Sequence, residues 1–129
     1  MEAAVFDTNI LIDFSFSNTK AQDTIRQCKE RIISVVTWVE FLTGVPEPQL
    51  EQSKVFLHDM FEIIYPDEPI YDITLEIRRQ KRLKLPDAMI YATAKNLKVP
   101  LITRNTKDFG PENPDVHVPY KIWCLWQDY

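Results

Sequence analysis

The sequence predicts an α/β fold built on a mostly parallel central sheet. Two observations carry that prediction. Short apolar runs alternate with segments whose apolar residues recur at helical spacing, and strands separated by helices pair in parallel. The chain has 129 residues, 45% of them apolar, which suits one core and would be cramped for two. Residues 1–129 are therefore read as a single domain.

The elements follow in order. Ala3–Phe6 is the first apolar run, and Asp7 closes it. A helix is expected over 19–31, with Ala21, Ile25 and Cys28 on one face. Residues 32–36 form a second strand. Thr37 then reads as the cap of a helix over 37–44, with Glu40 three residues on as in a capping box. Leu50–Met60 is a further helix and 61–65 a third strand. A helix over 69–81 places Ile70, Ile73 and Ile77 at helical spacing. Pro86 opens the next helix at its first position, and that helix runs to Leu97 with Asp87 in its first turn. Ala88, Ala92 and Ala94 allow it to pack closely. A fourth strand covers 101–103. A fifth, over 116–122, is weakened by Pro119, and Pro111, Pro114 and Pro119 mark an irregular stretch.

Composition removes several function classes. The only glycines are Gly44 and Gly110, so there is no Gly-rich phosphate loop and no dinucleotide fingerprint. Cys28 and Cys124 read as reduced core thiols, not a disulfide framework or a cysteine zinc site. The longest uncharged run has eight residues, 32–39, which cannot span a membrane. With no cationic leader at the start, the cytoplasm is the expected location. Net charge is −4, but residues 76–107 carry nine Lys or Arg against two acids, a local +7. Such a stretch beside an acidic site suits phosphodiester chemistry, where cations hold the backbone and carboxylates hold a metal. A solvated helix end and loop would account for it as well.

In parallel α/β sheets ligands bind beyond the carboxyl ends of the strands, where strand order reverses. Asp7 leaves the first strand, where it can also serve as a turn former or helix cap. Glu40 follows the second strand among apolar neighbours, so an ionised carboxylate there needs a partner; the capping box competes for it. Asp87 sits in a first helical turn, where negative charge is favourable by about 0.3–1 kcal/mol. Thr103, Asn105 and Asp108 offer oxygens in a turn after the fourth strand. Taken jointly, acids from separate elements converge on one sheet edge. Converging carboxylates repel, a divalent cation removes that cost, and oxygen-only ligands select Mg²⁺ or Mn²⁺ over zinc.

Four segments in order resemble the PIN-domain ribonucleases, in particular the VapC-like toxins of toxin–antitoxin pairs. They are Val5-Phe6-Asp7-Thr8-Asn9-Ile10-Leu11-Ile12, Ser34-Val35-Val36-Thr37-Trp38-Val39-Glu40-Phe41, Leu85-Pro86-Asp87-Ala88-Met89-Ile90-Tyr91-Ala92-Thr93-Ala94, and Leu101-Ile102-Thr103-Arg104-Asn105-Thr106-Lys107-Asp108-Phe109. The resemblance covers nearly the whole chain. It implies a three-layer domain with five parallel strands between helices, metal-dependent RNA cleavage, a homodimer, and a partner antitoxin. Asp7, Glu40 and Asp87 match the core acids, which would hold the metal. Asn105 stands where many members have a fourth Asp, and Asp108 can supply the missing charge. Thr103 would bond a core acid or a metal-held water, and Thr8 and Asn9 would orient Asp7 or a phosphate. Arg82, Lys84, Arg104 and Lys107 would contact the RNA backbone.

The expected reaction is in-line attack by metal-activated water, leaving a 5′-phosphate and a 3′-hydroxyl. Two other readings stand beside it. One is a non-catalytic RNA-binding or interaction module on the same fold. The other is a phosphoaspartyl phosphatase or receiver, disfavoured because Asn9 occupies the place of a second Asp and only Glu2 precedes the first strand as an acid. His58 and His117 read as surface or half-buried residues, and Trp38 and Phe41 as core packing. The apolar tail at 122–126 reads as core, final strand or interface.

Overall fold

The computed structural model describes residues 1–109 and 113–121. The expectations for Pro111, Cys124, the tail at 122–126 and the end of the fifth run lie outside those residues. Five strands, β1 (Ala3–Phe6), β2 (Glu30–Ser34), β3 (Glu62–Ile64), β4 (Leu101–Ile102) and β5 (Val116–His117), form one sheet in the order β3-β2-β1-β4-β5. Every pairing is parallel. Six α-helices accompany them among the described residues: α1 (Thr8–Ser15), α2 (Thr19–Arg26), α3 (Val35–Thr43), α4 (Leu50–Met60), α5 (Glu68–Gln80) and α6 (Leu85–Leu97).

The chain builds outward from β1 through β2 to β3, then returns to place β4 on the other side of β1. Strand order therefore reverses between β1 and β4, and a crevice opens there at the carboxyl ends. Val5 pairs with Leu101 and Phe6 with Ile102. The next residues in register are Asp7 and Thr103.

Alternation along each strand splits the core between two faces. Ala4, Phe6, Ile33 and Ile102 point to one side, where Ile10, Leu11, Ile25, Leu57 and Phe61 meet them. Val5, Ile32 and Leu101 point to the other, against Ile70, Ile77, Ala88, Ala92 and Ala94 of α5 and α6. The small residues expected to allow close packing are fully buried. Sheet and two helical layers give a three-layer α/β domain.

Several boundaries differ from expectation, each for a local reason. The second strand starts and ends two residues early, because Ser34 caps α3: its hydroxyl accepts from the Val36 N–H at 3.1 Å. A cap contributes about 1 kcal/mol, enough to hold Val35 and Val36 in a helix despite their β-branched side chains. Thr37 is therefore not the cap; it is fully buried inside α3, and Glu40 turns away from the helix start. The helix expected over 19–31 stops at Arg26, since Glu30 and Arg31 are drawn into the sheet beside Ala3 and Ala4. Pro86 is the second residue of α6 instead of the first, with Lys84 at the cap. Helix α1 realises the helix-cap reading of Asp7, whose Oδ1 accepts from the Thr8 N–H and starts a helix at once.

Candidate active site

Asp7 lies at the carboxyl end of β1, beside β4, and is 4% exposed. Its backbone N–H donates to Ile102 O at 2.9 Å, continuing the β1–β4 ladder. Its Oδ1 accepts from the Thr8 N–H at 2.8 Å, and its Oδ2 accepts from Thr103 Oγ1 at 2.8 Å and from Asn9 Nδ2 at 3.3 Å. The direction of the Thr103 proton is determined by its neighbours. Thr103 Oγ1 already accepts from Asn9 Nδ2 at 3.1 Å and from the Asn105 N–H at 3.0 Å. A hydroxyl has two acceptor sites and one proton, so that proton goes to Asp7.

Glu40, on α3, is brought to the same rim by Thr8. Thr8 Oγ1 donates to Glu40 Oε1 at 2.6 Å and lies 3.2 Å from Thr37 Oγ1. A single threonine thus holds Asp7 through its backbone and Glu40 through its side chain. Glu40 is itself exposed. Sequence reading missed Thr37, whose hydroxyl is the buried end of this chain.

Asp87 is half-buried in the first turn of α6, and Asp108 is exposed after β4. Electrostatics tie the four acids together. Burial pushes the Asp7 carboxyl up to about 6, against the hydrogen bonds from Thr103 and Thr8, and the charges of Asp87 and Glu40 raise it further. Burial also raises Asp87, with Asp108 and Glu40 adding repulsion and Lys84 opposing it. The acids are near enough to disfavour one another's ionisation. They are not drawn into a closed cage: among the described residues no group of three or more His, Cys, Asp or Glu side chains is set to hold a metal ion. The donor chemistry nevertheless fits a hard divalent cation, because every donor is a carboxylate oxygen and their mutual repulsion is what such a cation relieves.

The turn after β4 behaves differently from expectation. Asn105 Oδ1 accepts from the backbone N–H groups of Lys107 and Asp108, and its Nδ2 donates to Asp108 Oδ2 at 2.9 Å. Its amide oxygen is thus engaged in holding the turn. Arg104, expected on the RNA backbone, is engaged within the protein. Its guanidinium donates to both oxygens of Asp13, at 2.6 and 3.0 Å, and the side chain is only 9% exposed. Arg82, Lys84 and Lys107 are exposed, as backbone contacts require.

Asp13 and Tyr120 were missed in the sequence. Asp13 is 3% exposed, and Tyr120 Oη donates to its Oδ2 at 2.7 Å. The available signal was an acid embedded in Ile10-Leu11-Ile12-Asp13-Phe14, since a buried charge demands a partner. His58 and His117 are exposed. A cleft of about 850 Å³ lies elsewhere, lined by Ile73, Lys81, Lys98 and neighbours, with none of the four acids on its walls.

Comparison with known proteins adds the following. Residues 4–110 match the family model of the PIN domain. Ribonuclease VapC1 of Methanocaldococcus jannaschii is 34% identical over 108 residues, covering 80% of this chain and 76% of that protein. Among solved structures, a toxin–antitoxin complex from Klebsiella pneumoniae contains a chain 39% identical, with a TM-score of 0.85 over 93% of this chain and 100% of that one. DNA-bound VapBC from Salmonella typhimurium, at 20% identity and a TM-score of 0.75 over 96% and 100% of the two chains, shares the fold.

Proposed function

The chain belongs to the PIN domain family, and from that premise we propose that it is a VapC-like endoribonuclease, the toxin of a toxin–antitoxin pair, dependent on Mg²⁺ or Mn²⁺. The observation that carries the reading is the placement of Asp7. It lies at the reversal of strand order, is fixed by Thr8, Asn9 and Thr103, and shares the repulsion of Glu40 and Asp87. The relative named as a ribonuclease and the related chain in a toxin–antitoxin complex support an RNA substrate and an antitoxin protein as partner. A second copy of the chain and a cytoplasmic location belong to the same proposal. No helix among the described residues is long and apolar enough to cross a membrane.

In this reading Asp7, Asp87 and Glu40 would hold the cation, with Asp108 adding charge that acts on Asp87. When bound, the ion lowers the pKa of water and offsets the negative charge that builds on phosphorus. The protein's own groups do the rest. Thr103 and Asn9 keep Asp7 in one orientation, so its geometry is set before substrate arrives. Thr8 fixes one oxygen of Glu40, and the exposed position of that side chain lets it orient the attacking water. Arg82, Lys84 and Lys107 offer exposed cations for the phosphates on either side. Direct hydrolysis leaves the 2′-hydroxyl unused.

The test is cleavage of a single-stranded RNA oligonucleotide by the purified chain with Mg²⁺ or Mn²⁺. Activity that EDTA abolishes and excess Mn²⁺ restores supports the proposal. Undiminished cleavage in EDTA contradicts it.

A further inference from the structure

Asp13 is the buried charge that the proposed chemistry does not use. It projects from α1 and receives a two-pronged pair from Arg104, Nε to Oδ2 at 2.6 Å and Nη2 to Oδ1 at 3.0 Å. Arg104 is the middle residue of the turn that serves Asp7. On one side of it, Thr103 donates its hydroxyl proton to Asp7; on the other, the Asn105 N–H donates to Thr103 Oγ1. The Arg104 N–H itself donates to Asn9 Oδ1 at 3.4 Å, and Asn9 Nδ2 donates onward to Thr103 and Asp7. Three consecutive residues thus feed one hydrogen-bond array. A planar guanidinium held by both oxygens of a carboxylate is fixed in orientation as well as distance.

We propose that Asp13 is a positioning residue: through its fork with Arg104 it holds the 103–105 turn in the register that lets Thr103 and Asn9 fix Asp7. The inference rests on the nuclease reading above and names the device that pre-sets its central acid. Asp13 acts through Arg104. Tyr120 shares the Asp13 carboxylate from the far end of the chain, so the last described segment packs onto the same anchor.

The experiment compares the full chain with Asp13→Asn, Arg104→Gln, their double variant and Tyr120→Phe. Two readouts are taken: steady-state cleavage of an RNA oligonucleotide in Mn²⁺, and the NMR signals of the Asn9 side-chain amide and the Arg104 backbone amide without RNA. Asp13→Asn and Arg104→Gln are each expected to lower kcat by about 10- to 100-fold with KM held, as loss of an orienting partner does. The double variant should be no slower than the worse single, because both act through one contact. The Asn9 and Arg104 amide signals should shift and exchange faster in all three. Tyr120→Phe keeps the fork and should retain kcat.

Unchanged kcat per folded molecule, with only a lowered melting temperature, overturns the proposal. So does a KM rise at constant kcat in Arg104→Gln, which would return Arg104 to the RNA backbone, or an equal loss in Tyr120→Phe. If Asp13→Asn does not fold, Arg104→Lys carries the test, since it keeps the charge and loses the fork. If the wild type cleaves no RNA, the nuclease reading fails, and the amide signals alone decide: unchanged signals in the variants refute an ordering role for Asp13.

Discussion

Thr103 donates its hydroxyl proton to Asp7 Oδ2 at 2.8 Å, joining two residues 96 apart in sequence at adjacent strand ends. Thr103→Val keeps the shape and removes the donor. It also strips the Asn105 N–H of its acceptor and leaves Asn9 Nδ2 with Asp7 alone, which costs about 1–3 kcal/mol. Cleavage should fall about 10- to 100-fold, as for loss of a partner that orients a metal-holding group. Thr103→Ser should retain most activity. Urea unfolding together with initial rates checks both outcomes.

The raised proton affinity of Asp7 makes stability pH-dependent with a definite sign. Folded Asp7 keeps its proton up to about 6, whereas an unperturbed Asp loses it near 3.8. Between those values the folded state binds more protons, so this group's contribution makes stability fall as pH rises. Above pH 6 the ionised carboxylate costs the folded state at most about 3 kcal/mol. Asp7→Asn should therefore raise the melting temperature in EDTA at pH 7.5, and the gain should vanish by pH 4. Added divalent cation should stabilise the wild type and leave Asp7→Asn unmoved. A melting temperature for Asp7→Asn below that of wild type in EDTA would contradict this.

Asp13 and Arg104 form a pair shielded from water, with side chains 3% and 9% exposed. Asp13→Ala removes the buried carboxylate to which both Arg104 and Tyr120 donate and should cost about 3–5 kcal/mol. The exposed pair of Lys29 and Glu2, 3.7 Å apart, should contribute about 0–1 kcal/mol. Chemical denaturation of Asp13→Ala and Glu2→Ala separates the two. Equal small losses would refute the buried pairing.

Much of the fold and part of the site were legible in the sequence. The first strand, the order of elements and the acids at strand ends follow from apolar periodicity and from the rule that parallel sheets gather function at carboxyl ends. What escaped depends on competition or on distance. Ser34 capping α3 outweighed the β-branched pair Val35 and Val36. Arg104 looked like one more cation in a basic stretch. Its partner is 91 residues away and buried, and local pattern carries no record of such pairing. The same holds for Tyr120, 107 residues from Asp13.

Arg82, Lys84 and Lys107 are exposed cations of the basic stretch over 76–107. If each neutralises one phosphate, each alanine substitution should flatten the plot of log affinity against log salt by about 0.7 for single-stranded RNA. Binding measured in Ca²⁺, to slow cleavage, reports that slope. Arg104→Gln should leave it unchanged, and a lowered slope there would place Arg104 on the RNA backbone.

The most direct test of the central claim, that Asp7 anchors metal-dependent hydrolysis of RNA, is the chemistry of the cut ends produced by wild type and Asp7→Asn. Wild type should leave 5′-phosphate and 3′-hydroxyl termini, and a folded Asp7→Asn should make no cuts. A 2′,3′-cyclic phosphate, or full cleavage by Asp7→Asn, would contradict it.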